Sequence, residues 1–214
     1  MSFKTLFLDL DGTLYPHNNG IWEQISARMN EYMVTNLGFD EQQVSEIREQ
    51  YFLKYGSTLS GLMANDEVDP TEFLAYVHVV PIDQFIQPDP KLQKILSEIP
   101  QPKWILTNSD TPHATRVLNA LGIFDLFEGI LDITIMGYKN KPNPIVFRKA
   151  LEFSGGLNAS DSLFVDDIPK NVAAAKQLGW KTILVSEQAN HGSADHRIEH
   201  IHQLGIILAE VENG

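Results

Sequence analysis

Asp9 and Asp11 stand two residues apart at the end of a short apolar run, in the segment Asp9-Leu10-Asp11-Gly12-Thr13-Leu14. Asp166 and Asp167 close a second apolar run, and Thr107-Asn108-Ser109-Asp110 closes a third. Lys141 lies in Asn140-Lys141-Pro142-Asn143-Pro144. Carboxylates gathered at close range repel, so either their pKa values rise or a cation holds them. Such oxygen donors suit a hard divalent ion. Mg²⁺ typically takes one or two carboxylates together with water and a substrate phosphate. Asp9 and Asp11 alternate along an extended segment, which sends their side chains to opposite sides. A turn at Gly12 brings Asp11 back over a substrate. That arrangement suits two roles. One carboxylate attacks, and the other gives a proton to the leaving group and later takes one from water.

These residues need a frame that collects them on one face. Thr5 to Leu10, Lys103 to Thr107, Ser162 to Val165 and Lys181 to Val185 are short apolar, β-prone runs, and the spacing predicts buried strands. A further short strand is predicted within Gly129 to Ile135. Helical spacing marks Lys91 to Ile99, Pro112 to Leu121, Pro144 to Phe153 and Pro169 to Leu178, the second stopped by Gly122 and the last by Gly179. Strands alternating with amphipathic helices mean βαβ units and a parallel sheet. In such sheets ligands sit beyond the carboxyl ends of the strands, where the carboxylates and the Thr107-Asn108 pair fall. Between the first and second strands the pattern turns wholly helical. Ile21, Ile25, Met29, Tyr32 and Met33 begin it, and Phe73, Leu74 and Val77 end it. Four helices are predicted there, with Asp40 and Asp69 at helix starts. The predicted fold is therefore α/β, a Rossmann-like parallel sheet with helices on both faces and an inserted α-helical cap. Residues 1–15 and 86–214 form the core and residues 16–85 the cap.

Composition narrows the function. The chain has 214 residues, 43% hydrophobic and 21% charged, as in ordinary globular proteins. It has no cysteine, which excludes disulfides and thiolate chemistry. Its formal net charge of −12 argues against nucleic-acid binding. The first apolar run is too short, and too soon interrupted by Asp9, for a signal peptide or membrane span. A cytoplasmic protein acting as monomer or homodimer, with no membrane partner, is expected. Among the seven histidines, His191, His196, His200 and His202 cluster late. His196 and His200 have i, i+4 spacing, and a solvated helix is expected there rather than a metal site.

The chemistry-bearing segments resemble, in order, the four motifs of the haloacid dehalogenase superfamily in its phosphatase branch. Asp9-Leu10-Asp11-Gly12-Thr13-Leu14 is similar to the first, Thr107-Asn108 to the second, Lys141-Pro142 to the third, and Asp166-Asp167 with Asn171 to the fourth. An insert just after the first motif is similar to the C1 cap of subfamily I. The resemblance implies that Asp9 is the nucleophile and a metal ligand. It implies that Asp11 is the general acid/base and binds metal through its carbonyl. Thr107 and Asn108 would hold phosphoryl oxygens, and Lys141 would neutralise nucleophile and phosphate. Asp166 and Asp167 would hold Mg²⁺, with Asp167 favoured as the direct ligand. The substrate implied is a small phosphorylated metabolite.

Within the helical insert, Tyr51-Phe52-Leu53-Lys54-Tyr55-Gly56-Ser57-Thr58-Leu59-Ser60-Gly61-Leu62 resembles the cap of the pyrimidine 5′-nucleotidase branch. That likeness implies a nucleoside monophosphate, with Thr58 and Trp22 as binding residues. Sugar phosphates or phosphoglycolate are the alternative substrates. A phosphomutase or a non-catalytic regulator on the same fold stands further off.

Overall fold

The computed structural model of the protein describes residues 3–188 and 192–213. The chain opens with β1 (Thr5–Leu8) and then runs through α1 (Ile21–Leu37), α2 (Val44–Tyr55), α3 (Thr58–Asn65), α4 (Pro70–Val77) and the single turn α5 (Ile82–Phe85). Next come α6 (Pro90–Glu98), β2 (Lys103–Leu106), α7 (Thr111–Leu121), β3 (Gly129–Leu131) and α8 (Pro144–Phe153). The chain continues through β4 (Ser162–Asp166), α9 (Pro169–Gln177), β5 (Lys181–Val185), β6 (His196–Ile198) and α10 (Leu204–Asn213).

The six strands form one sheet in the order β3-β2-β1-β4-β5-β6, and every neighbouring pair is parallel. β1 pairs with β2 through Leu8 opposite Ile105, and with β4 through Leu8 opposite Val165. The chain thus grows outward on one side of β1, then returns to grow on the other. Strand order reverses at β1, which places the ligand crevice of an open α/β sheet at its carboxyl end.

Side chains of a strand alternate between faces, and the core divides accordingly. Leu6, Leu8, Ile105, Leu163 and Val165 pack with Leu92, Leu96, Val117, Leu118 and Leu204 on one face. Phe7, Leu106 and Phe164 pack with Val146, Phe147, Ala175 and Trp180 on the other. Each fully buried side chain of this size stabilises the fold by about 1.5–3 kcal/mol. Helices therefore cover both faces, as the alternation predicts. The helices after β1 have a cluster of their own, built on Tyr32, Met33, Leu59, Leu62, Phe73 and Val77, with Ile133 of the sheet region joining it. Ile21 and Ile25 at the start of α1 pack into the main core instead.

Some predicted boundaries shift. Asp69 caps α4, accepting hydrogen bonds from the Thr71 and Glu72 amides, whereas Asp40 caps only a turn, accepting from Gln42 N at 2.7 Å. The strand expected within Gly129 to Ile135 stops at Leu131. Asp132 then turns the chain by accepting from Ile135 N and Thr111 N, each at 2.8 Å. The helix expected around His196 and His200 is absent. His196 lies in β6, paired opposite Ile183, because Asp195 ties that segment to Thr182 through the Thr182 amide at 2.9 Å. His200 precedes a single 3-10 turn, and His202 Nε2 lies 2.6 Å from Asp89 Oδ2. His191 lies outside the described residues. Among the described residues, no helix is long and apolar enough to cross a membrane.

Candidate active site

The carboxyl ends of β1, β2 and β4 converge on a buried ammonium. Lys141 Nζ donates to Asp9 Oδ1, Asp166 Oδ2 and the Leu106 carbonyl, each at 2.7 Å. All three N–H bonds of the lysine are used, and its side chain is 1% exposed. Burial alone would drive Lys141 toward the neutral amine. The charges of Asp166 and Asp9 overcome that and hold its pKa above the usual lysine value. Lys139, a near neighbour in sequence, takes no part in this contact.

Asp9, Asp166 and Asp167 each offer an oxygen within 4.8 Å of the others. Three carboxylates against one ammonium leave two negative charges. Burial pushes the Asp9 carboxyl well above its ordinary range, with Asp166 and Asp167 adding to the push and Lys141 opposing it. Burial and the Asp167 charge push Asp166 in the same direction. Hard oxygen donors carrying this excess charge fit a divalent cation such as Mg²⁺.

The two members of the Asp166-Asp167 pair differ. Asp166 is filled: besides Lys141 it accepts from Asn171 Nδ2 at 3.0 and 3.1 Å and from Ile168 N at 2.7 Å. Asp167 has lighter company, Thr13 Oγ1 at 3.1 Å and His17 Nε2 at 2.8 Å. The hydrogen bond to Asp167 raises the His17 pKa against the opposing effect of burial.

Asp11 is held differently from Asp9. Its Oδ2 accepts from Ser109 Oγ at 2.6 Å, and its Oδ1 lies 2.8 Å from His113 Nε2 and also accepts from the Tyr15 hydroxyl. Burial works against ionisation of Asp11, yet His113, Ser109 and Tyr15 together hold its pKa below the carboxylate range. Asp9, by contrast, has one close donor, since Thr13 Oγ1 is 3.5 Å from its Oδ2.

This crevice, read with residues 3–179 matching the family described as haloacid dehalogenase-like hydrolase, decides the assignment. The chain belongs to the haloacid dehalogenase-like hydrolases. It is 30% identical over 198 residues to phosphate metabolism protein 8 of Saccharomyces cerevisiae, covering 85% of this chain and 61% of the yeast protein. It is 28% identical over 129 residues to a phosphoglycolate phosphatase of Yersinia pseudotuberculosis, covering 58% of this chain and 53% of that one. The chain thus spans less than two thirds of the length of these relatives. Among solved structures, a HAD phosphatase from Thermococcus onnurineus matches with a TM-score of 0.65 at 20% identity, covering 96% of this chain and 98% of that one.

The sequence-predicted residues of this hydrolase gather unevenly. Asp9, Asp11, Thr107, Asn108 and Lys141 line one cavity of about 720 Å³, and Trp22 and Thr58 line it as well. The Asn108 side chain, expected to hold phosphoryl oxygens, is engaged with the Lys141 peptide. Its Oδ1 accepts from Lys141 N at 2.7 Å and its Nδ2 donates to Lys141 O at 3.3 Å, so it holds the Lys141 peptide. Thr107 Oγ1 accepts from Ser109 N at 3.0 Å. Thr58 is the first residue of α3, after the cap Ser57. The Trp22 indole lies 5.4 Å from the His17 ring, centroid to centroid. Sequence reading did not find Tyr15, His17 or His113. Tyr15 and His17 flank the predicted junction, but nothing local marks them as partners of Asp11 and Asp167.

Gly12 permits this crowding. Its φ is +92°, and a Cβ there would lie 2.3 Å from His17 Nε2 and 2.6 Å from Asp167 Oδ2. Gly38 has φ +73° with nothing within 4 Å of a Cβ, which makes it a control. Gly38→Ala is expected to lower the urea unfolding free energy by about 1 kcal/mol, the left-handed cost alone. Gly12→Ala is expected to cost about 1–2 kcal/mol more, from overpacking. Equal losses at the two positions would contradict the crowded turn.

Proposed function

We propose that this hydrolase is a Mg²⁺-dependent phosphomonoesterase that forms an aspartyl-phosphate on Asp9. The observation that carries the reading is Asp9 itself. It is buried at the switch point, paired with Lys141, and within 4.8 Å of the oxygens of Asp166 and Asp167. The relatives named for phosphate metabolism and phosphoglycolate hydrolysis support phosphoryl chemistry.

The contacts support different roles for the two aspartates of the Asp-x-Asp pair. Asp11 has three donors on its oxygens, which makes it a poor nucleophile and fixes its orientation; it would carry the proton once an anionic phosphate beside it raises its pKa. Asp9 keeps Oδ2 nearly free, which suits in-line attack on phosphorus once a bound cation holds the carboxylate ionised against its burial. Asp9 forms a bond to phosphorus as the bond to the leaving oxygen breaks, and Asp11 gives that oxygen a proton. Asp11 then takes a proton from water, whose oxygen attacks phosphorus and breaks the bond to Asp9. Lys141 cancels charge on Asp9 throughout. Mg²⁺ held by Asp9, Asp167 and the Asp11 carbonyl would neutralise the phosphoryl oxygens and polarise phosphorus. Asp166, with its lone pairs committed to Lys141, Asn171 and Ile168, positions the lysine; Asp167 is the freer ligand.

The helices after β1 are read as a cap that closes over this cavity and contacts the leaving group. The cavity volume suits a leaving group larger than glycolate. Trp22 offers it a flat ring whose buried Nε1 has no partner among the described residues. That favours a nucleoside monophosphate, with Thr58 and Trp22 as specificity residues, over phosphoglycolate.

Asp9→Asn is expected to abolish turnover in a folded protein, and EDTA is expected to abolish it reversibly in the wild type. Near-normal rates in either assay would refute the mechanism. Trp22→Ala and Thr58→Ala are expected to lower kcat/KM for UMP or CMP by roughly ten- to a hundredfold, with a smaller loss on p-nitrophenyl phosphate. Equal losses on both substrates would assign these residues to cap packing. A wild type active on phosphoglycolate and inactive on every pyrimidine nucleotide would remove the nucleotide reading.

A further inference from the structure

His113 is the one histidine in the described core with no exposed surface, and the proposed chemistry does not by itself require it. It lies in the first turn of α7, and its backbone amide donates to the capping carboxylate of Asp110 at 3.0 Å. Its ring stacks on His78, centroids 4.5 Å apart and planes 24° apart. His78 is fixed in turn, by Asp110 Oδ1 at 2.8 Å from its Nδ1 and by Arg116, which donates to its carbonyl. His113 is therefore held at its backbone and on one face of its imidazole. What it presents is Nε2, 2.8 Å from Asp11 Oδ1.

The other nitrogen settles the direction of that hydrogen bond. His113 Nδ1 is buried and has no partner among the described residues. A proton there would be an orphaned buried donor, which costs more than a hydrogen bond returns. Nε2 is therefore the ring nitrogen whose proton finds an acceptor, and it donates that proton to Asp11. Asp11 has two other donors, but both are hydroxyls. The Ser109 O–H can turn about its Cβ–Oγ bond, and Tyr15 sits beyond the Gly12 turn in the segment that leads to the helical insert. The imidazole N–H has one direction, set by α7 and His78.

We infer that His113 is the positioning residue of Asp11, orienting its carboxylate for proton transfer through a fixed Nε2–H donor. The inference rests on the reading of Asp11 as the acid/base. An ordinary core histidine would only fill space. The reading here requires a donor at the Nε2 position, and side-chain length separates the two. A glutamine amide reaches about as far as Nε2, whereas an asparagine amide stops near the level of Nδ1.

The test compares His113→Gln and His113→Asn in the full chain with Mg²⁺ and a phosphomonoester, reading kcat, KM and thermal stability. Gln is expected to keep kcat within about threefold. Asn is expected to lower it by roughly ten- to a hundredfold, as for a lost hydrogen bond to a charged group, with KM within about twofold. Equal kcat losses in the two variants, or losses confined to KM, would overturn the inference while leaving the phosphatase reading intact. A wild type with no phosphatase activity would sink that reading first. Should either variant fail to fold, ¹⁵N NMR of the histidines in the wild type decides. A protonated Nε2 at His113 is expected, and a bare Nε2 would overturn the inference.

Discussion

The site is organised around one buried ammonium. Lys141 reaches from a loop before α8 to the ends of three neighbouring strands, bonding Asp9 after β1, the carbonyl of Leu106 on β2 and Asp166 on β4. A buried lysine with a free N–H would be costly, and two buried carboxylates without a cation more so. The three groups are stable only together, so the central strands cannot shift without exposing a charge. Asn108 completes the arrangement from β2's end by holding the Lys141 peptide in both directions. Asp166 is in turn held by Asn171 from α9. The negative charge left over collects on the Asp9 and Asp167 side, and it is there that a cation would find complementary charge.

Much of this was legible in the sequence because strand ends are local features. Asp9, Thr107 and Asp166 each follow an apolar run, and a parallel sheet brings such positions to one edge whatever the strand order. Lys141 was legible through the prolines around it and the helix start that follows. The fold class followed from the same alternation, and the six parallel strands with helices on both faces bear it out.

What escaped the sequence depends on distance along the chain or on short elements. β6 has three residues, two of them His196 and Arg197, and no apolar period is visible in so short a polar strand. It forms because Asp195 and the edge of β5 hold it, so the i, i+4 histidines were misread as a helix. His113 meets Asp11 across 102 positions and His17 meets Asp167 across 150, and nothing in either neighbourhood marks the pairing. Asn108 was legible as polar and well placed, but its partner was not. A side-chain amide beside a strand end bonds a phosphate or a neighbouring peptide equally well, and only the packing of the Lys141 loop decides.

The central claim is that Asp9, and not Asp11, takes the phosphoryl group. The direct measurement is rapid acid quench of the Mg²⁺-loaded enzyme during turnover of a phosphomonoester, followed by mass spectrometry of its peptides. The account predicts a phosphoryl group on the peptide that contains Asp9, located on the Asp9 side chain and absent from Asp9→Asn. A phosphoryl group on Asp11 or on any other residue, or sustained turnover by Asp9→Asn, would contradict it.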